Sequence, residues 1–217
     1  MNSIALNTDT RRGARNGLGW QIAWWSFFLI CALYGGYALY VGVTELLAYV
    51  GLAVSLKPRG IPLIFVLHAL TGSVVLISAA LQLNPSLLKR RKLHRTIGRI
   101  YVGTVWLSSA AGLWSALFFD VGLVAQIIFV LVALLWFGVT TAALLAIRQR
   151  KVTAHREWML RSVALTCFFL TFEFWVAGLA STSLPTSISY PLAVLASASV
   201  NLLIAEWWIR RTRRSAA

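Results

Sequence analysis

Acidic residues are nearly missing from this sequence: there are 6 Asp and Glu in 217 residues, against 20 Lys and Arg. No paired carboxylates that divide acid and base work are present, which sets aside carboxylate-driven hydrolysis. The 2 cysteines, Cys31 and Cys167, both sit inside apolar runs. That excludes a disulfide framework and any metal-ligand spacing, and leaves packed or lipid-facing thiols. The 3 histidines are too few for a histidine-rich di-metal oxygenase, and they cannot supply two bis-histidine haems. Neither a Gly-rich phosphate loop nor a Ser-His-Asp set is present. Charge as a whole is scarce, at 12% of residues, where soluble proteins carry about 25%.

What is there is apolar: 59% hydrophobic residues and a mean hydropathy of +0.76. Lipid must be the solvent for much of this surface, and one membrane domain uses the whole chain. The net charge of +14 suggests a nucleic-acid partner at first, but the cations fall in short clusters between long apolar runs. That is the pattern of cytoplasmic loops, so the partner is a bilayer and not a nucleic acid.

About 20 apolar residues span the hydrocarbon core. Six stretches qualify, at about 19–42, 61–83, 97–119, 121–147, 158–180 and 188–209. The expected fold is an all-α polytopic membrane bundle with six transmembrane helices. The first stretch is too long for a signal-peptide core, and Leu39-Tyr40-Val41 offers no small-residue cleavage site, so it reads as a retained helix. With a cytoplasmic N-terminus, every Lys and Arg except Lys57 and Arg59 falls on the inner side. Both termini are therefore expected in the cytoplasm, with tails 1–18 and 210–217 flanking a transmembrane domain 19–209. Residues 44–60 form the one sizeable external loop, in which Thr44–Val50 is expected as a short surface helix ended by Pro58. Asp120-Val121-Gly122 and Leu184-Pro185-Thr186 are expected turns, and Pro191 falls in the first turn of the last helix. Ser108 with Gly112, and Ala196 with Val200, suit close helix contact. Trp20, Trp24, Trp25, Trp158, Trp207 and Trp208 form an interfacial belt on the inner side.

A short internal repeat accompanies this pattern. Leu93-His94-Arg95-Thr96-Ile97-Gly98-Arg99 leads into the third stretch, and Ala154-His155-Arg156-Glu157-Trp158-Met159-Leu160-Arg161 leads into the fifth. With Leu81-Gln82-Leu83-Asn84-Pro85, Gly98-Arg99-Ile100-Tyr101-Val102 and Asn201–Trp207, these segments resemble the DUF2306 family of bacterial membrane proteins. The resemblance covers roughly residues 60–210. It implies a multi-pass domain of unknown function in the bacterial cytoplasmic membrane and supplies no activity. The chain departs from the family's pattern at Glu173, near which relatives tend to carry Arg.

Three constellations carry candidate chemistry. His94 and His155 stand at the starts of two helices entering the membrane, at similar depth and among cations. Two such imidazoles can ligate one haem b iron, with Arg95, Arg99, Arg156 and Arg161 available to its propionates. The same residues equally describe a basic pocket for a phosphate head group, helped by two helix N-termini. Interfacial histidines touching lipid phosphates are the plain alternative. In the outer half of the bilayer, His68, Glu173 and Gln126 lie at comparable depth, each on the order of 10 Å below the outer surface. A His68–Glu173 pair is expected there, either as a fixed packing contact or as a proton relay or quinone contact. Glu206, with Asn201 nearby, is expected to reach Arg95, Arg99 or Arg161.

The leading functional expectation is a cytochrome-b-like redox protein with one haem near the inner face, exchanging electrons with a quinone or similar carrier. A binder or transporter of an anionic lipid or small anion, and an accessory subunit without a site of its own, stand beside it. Enzymatic activity and oligomeric state are left open by the residues.

Overall fold

A computed structural model describes residues 18–56, 62–118 and 121–214, and all the regular structure among them is helical. The elements are α1 (Leu18–Tyr49), α2 (Leu63–Gln82), α3 (Pro85–Lys89), α4 (Arg91–Phe118), α5 (Leu123–Arg148), α6 (Val152–Thr166), α7 (Phe168–Ala180) and α8 (Thr186–Arg214). Five of these are each long and apolar enough to cross a membrane. The bent pair α6 and α7 adds a sixth span when read as one. The all-α, multi-pass architecture expected from the apolar runs is the one observed. The cations at 11–15, Lys57, Arg59, Pro58 and Asp120 lie outside the described residues.

Neighbours in the chain pack as neighbours in space. α2 lies between α1 and α4, α5 lies between α4 and α6, and α8 closes on α6, α7 and α5. Helices α2, α4, α5 and α6 thus form a four-helix unit in which α4 and α6 sit diagonally. Its centre is the cluster of Val75, Ala79, Tyr101, Val105 and Val163. A second cluster, of Phe168, Phe172, Ala193, Val194 and Ala198, joins α7 to α8. A third sets Cys31 of α1 against Leu76, Ala80 and Leu170, so that Cys31 is a packed thiol and not a lipid-facing one. Large apolar side chains also line the outside, among them Leu131, Leu134, Leu203 and Ile204. In water that surface would be an aggregation liability, whereas in a bilayer it is the lipid contact.

Several boundaries differ from the expected ones for identifiable reasons. α1 does not stop near residue 42 but runs 32 residues to Tyr49, about 48 Å at 1.5 Å per residue. A hydrocarbon core is about 30 Å thick, so the last turns project beyond it. Thr44–Tyr49 is therefore a continuation of the span, not a separate surface helix. The extension is held by Glu45, fully buried, whose carboxylate accepts hydrogen bonds from the Ser55 hydroxyl and the Leu56 N–H, each at 2.7 Å. Pro191 stands inside α8, not in its first turn, because the helix already begins at Thr186.

The expected span 158–180 is broken at Cys167, where α6 and α7 meet at 41°. Neither Pro nor Gly stands at this point. Side chains from α8 occupy the backbone there: Ser197 Oγ donates to the Phe168 carbonyl at 2.6 Å, and Asn201 Nδ2 donates to the Ala164 carbonyl at 3.1 Å. Competition of this kind for helical carbonyls is a recognised cause of sharp bends.

Close approach explains two glycines. A Cβ on Gly42 would lie 2.8 Å from Leu70 Cδ2, so the close approach of α1 to α2 at this point needs that atom to be missing. On α4, a Cβ at Gly112 would lie 3.2 Å from His68 Cε1. Gly112 and Ser108 are thus close-contact positions, as their spacing suggested.

Candidate functional site between the starts of α4 and α6

α4 and α6 both start at the end of the bundle where the basic clusters gather, and they run in the same direction. Their register is set by Tyr101, whose hydroxyl lies 2.7 Å from Ser162 Oγ and 2.9 Å from Thr166 Oγ1. Ser162 Oγ also lies 2.6 Å from Thr140 Oγ1, and Trp136 Nε1 donates to Thr166 Oγ1 at 3.2 Å. Tyr101, Ser162 and Thr140 are fully buried. Each polar group in this seam has a partner, as a low-dielectric interior demands.

His94 precedes Tyr101 by seven residues, and His155 precedes Ser162 by seven. Residues seven apart fall on nearly the same helix stripe, here about 10 Å nearer the basic end. The two histidines therefore flank the mouth of the four-helix unit from diagonal helices, His94 lying within electrostatic reach of His155. His155 Nδ1 lies 2.9 Å from the Ala143 carbonyl of α5. A carbonyl only accepts, so Nδ1 carries the hydrogen, and in the neutral ring Nε2 keeps its lone pair. His94 is anchored through its backbone, since Gln82 Nε2 donates to its carbonyl at 2.8 Å, while its buried Nδ1 has no hydrogen-bond partner. A buried ring nitrogen without a partner among the described residues is uncommon and calls for an explanation.

The arginines divide. Arg95, Arg99 and Arg156 are exposed, and none makes an ion pair among the described residues. Arg161 is committed elsewhere: its Nε donates to Glu206, and its guanidinium lies 4.5 Å from the centre of the Trp158 ring. Of the three partners expected for Glu206, Arg161 is the one found. Glu157 is likewise held by Arg213, with Nε donating to Oε1 at 2.6 Å. Glu157 and Glu206, the carboxylates at this end among the described residues, are thereby neutralised by α6–α8 contacts.

The outer-half constellation assembles differently from expectation. His68 Nδ1 lies 2.9 Å from the Ser108 carbonyl and 3.2 Å from Ser108 Oγ, and the ring packs edge-on against Phe169 at 5.8 Å. Its hydrogen-bond partner is thus on α4, and no contact with Glu173 is made. Glu173 is exposed on α7, and its electrostatic neighbours are Tyr34 of α1 and Tyr190 of α8. Gln126 is half-buried in the first turn of α5, its N–H donating to the Gly122 carbonyl at 3.0 Å. These residues share the outer half of the bundle but not one face. The hydroxyl seam around Ser162 escaped the sequence reading. Its signal was there as Ser162 and Thr166 one turn apart in an apolar helix. Among the described residues, no three His, Cys, Asp or Glu side chains cluster to hold a metal ion.

Six apolar spans, lipid-facing leucines and a polar seam sealed inside define a polytopic all-α membrane protein. Residues 65–209 match the family model described as "Predicted membrane protein (DUF2306)", and the chain belongs to that family. No curated protein and no solved structure matches it.

Proposed function

We propose that the protein is a cytochrome-b-like redox protein of the bacterial cytoplasmic membrane, in which His94 and His155 ligate one haem b near the inner face. The observation behind this reading is their shared register: two imidazoles, one on each diagonal helix, seven residues above the Tyr101–Ser162 bond. The donor set fits the group. Two neutral imidazoles suit a low-spin haem iron. The carbonyl of Ala143 would fix the His155 tautomer as second-shell acceptors do for metal-bound histidines. Arg95, Arg99 and Arg156 are the cations left for the propionates, whereas Arg161 is engaged by Glu206. When bound, the haem would supply one-electron transfer, and a quinone is the carrier class such a site would meet. The cation asymmetry supports an orientation with both termini and the His94 and His155 turns in the cytoplasm. Cysteines placed at Arg91 or Lys151 would then resist labelling from outside intact cells, and ready labelling would reverse that orientation.

The test is the absorption spectrum of protein purified after expression with ample haem. A sharp Soret band with reduced α and β bands is expected. His94→Ala and His155→Ala should each abolish the low-spin signature, and His68→Ala should preserve it. Colourless protein sinks the redox reading. Arg95, Arg99 and Arg156, which make no ion pair among the described residues, then favour a second one, a site for an anionic lipid head group or small anion. Its binding to anionic vesicles or inorganic phosphate should weaken with salt.

A further inference from the structure

The half-buried imidazole of His68 is held through one nitrogen only. Its Nδ1 lies 2.9 Å from the Ser108 carbonyl and 3.2 Å from Ser108 Oγ. A carbonyl only accepts, so Nδ1 carries the hydrogen, and in the neutral ring Nε2 keeps a lone pair. Among the described residues, no hydrogen bond reaches Nε2. The sealed side-chain atoms without a partner belong there to Trp20, His94 and Ser109, and Nε2 of His68 is not one of them. Its lone pair is therefore reachable from outside the protein.

We propose that His68 is the acceptor in a binding site for a bilayer-dissolved aromatic alcohol, a phenol or hydroquinone. The ligand's hydroxyl donates to Nε2, and its ring lies against Phe169.

Three observations carry the assignment. The first is position. His68 stands five residues into α2, about 7–8 Å along the span. An ionisable side chain inside a span ordinarily faces a partner or serves a ligand, and here one ring nitrogen is left without a partner. The second is fixation. Ser108 and Gly112 stand one turn apart on α4, and a Cβ on Gly112 would lie 3.2 Å from Cε1 and 3.4 Å from Nδ1 of the imidazole. The ring thus fills a notch that glycine leaves open, and the bond to Ser108 sets its rotation and tautomer. An acceptor fixed beforehand gives up little freedom on binding. The third is the aromatic neighbour. Phe169 packs edge-on to the imidazole at 5.8 Å and is itself held by Phe168 and Phe172, at 5.1 and 5.9 Å. It is nevertheless 38% exposed, so an aromatic body arriving through the lipid meets it beside the imidazole. A neutral nitrogen acceptor asks for a donor, which lipid chains lack and aromatic alcohols carry. A metal ion is the poorer occupant, because no three His, Cys, Asp or Glu side chains cluster among the described residues. Ser108, the anchor of His68, lies fourteen residues from His94 on α4, about 21 Å, and the proposal stands whether or not haem binds there.

The experiment uses the full chain in nanodiscs, with para-pentylphenol as probe and para-pentyltoluene, in which a methyl replaces the hydroxyl, as control. Empty nanodiscs correct for partition into lipid. Saturable binding of the phenol, about tenfold tighter than that of the toluene, is expected from one hydrogen bond made away from water. His68→Leu should remove that difference, and Phe169→Leu should weaken both probes. Pentylhydroquinone and its oxidised quinone distinguish the sources. A hydroquinone that binds more tightly than the phenol marks a hydroquinone as the ligand, and equal binding marks a simple phenol. Equal binding of phenol and toluene, a His68→Leu variant that keeps the difference, or a quinone that binds as tightly as its hydroquinone overturns the proposal. Should His68→Leu fail to fold, nuclear magnetic resonance of the native chain with isotope-labelled histidine still decides. The Nε2 signal of His68, assigned through its ring's contact with a labelled Ser108 carbonyl, should shift with the phenol and not with the toluene. An unmoved signal at saturating phenol is likewise fatal.

Discussion

The hydroxyl of Tyr101 on α4 shares a 2.7 Å hydrogen bond with Ser162 on α6, joining the two diagonal helices of the central unit. Ser162 keeps a second partner in Thr140, and Thr166 keeps Trp136, so the seam is redundant. Tyr101→Phe therefore leaves no orphaned group. It should cost only what an average interhelical hydrogen bond is worth in a membrane, about 0.6 kcal/mol and at most about 1.7. Tyr101→Ala opens a void in the central cluster as well and should cost about 3–5 kcal/mol. Equilibrium unfolding in mixed detergent micelles separates the two. A loss on Tyr101→Phe as large as that on Tyr101→Ala would mean that the hydroxyl, not the ring, holds the seam together.

Gly42 and Gly36 offer a matched pair on α1. A Cβ at Gly42 meets Leu70 at 2.8 and 2.9 Å, whereas at Gly36 nothing lies within 4 Å. Gly42→Ala should force α1 off α2 or Leu70 off its rotamer, at about 1–3 kcal/mol. Gly36→Ala should be neutral or stabilise by up to about 1 kcal/mol through helix propensity. The order of the two melting temperatures checks the α1–α2 register directly.

How much of this could be read in the residues depends on whether the cause is local. Apolar run length is a property of consecutive residues, so all six spans and the bundle class were legible. The reach of α1 to Tyr49 was not, because it depends on Ser55 and Leu56 folding back onto Glu45. The break at Cys167 was equally hidden, since the residues that cause it, Ser197 and Asn201, lie on another helix. Depth placed His68 and Glu173 at one level, but helix rotation decides the partner, and rotation turned His68 to Ser108. His94 and His155 stood out in the sequence through the repeated His-Arg at the starts of two spans, whereas their equal seven-residue spacing to the buried hydroxyls of Tyr101 and Ser162 gained meaning only once the seam was seen.

Arg161 and Glu206 pair with side chains 18% and 34% exposed, and Arg213 and Glu157 pair with 62% and 13%. The cation of the second pair is far more open to water. Double-mutant cycles built on Arg161→Met with Glu206→Gln should give a coupling of about 0.5–1 kcal/mol, already discounted for partial exposure. The Arg213–Glu157 coupling should be smaller and should fade as salt is raised. Equal couplings at high salt would show that exposure does not govern these contacts.

Asn201 donates to the Ala164 carbonyl at 3.1 Å and to Thr171 Oγ1 at 2.9 Å, spanning the junction of α6 and α7 from α8. Thr171 Oγ1 in turn lies 2.6 Å from Ser197 Oγ, so the α8 side chains hold both sides of the bend. Asn201→Leu removes both donations while keeping an apolar side chain of similar size. It should cost up to about 1.7 kcal/mol, the upper range for membrane polar contacts, since Ser197 still reaches the Phe168 carbonyl. The geometric consequence is more telling than the stability. With the Ala164 carbonyl released, the helix has less reason to bend, and the distance between the outer end of α7 and α1 should change. Spin labels at Ala177 on α7 and Ala38 on α1, read by pulsed electron resonance, would report that change in nanodiscs. An unaltered distance distribution in both Asn201→Leu and the Ser197→Ala, Asn201→Leu double variant would show that the bend has another cause, located within α6 and α7 themselves.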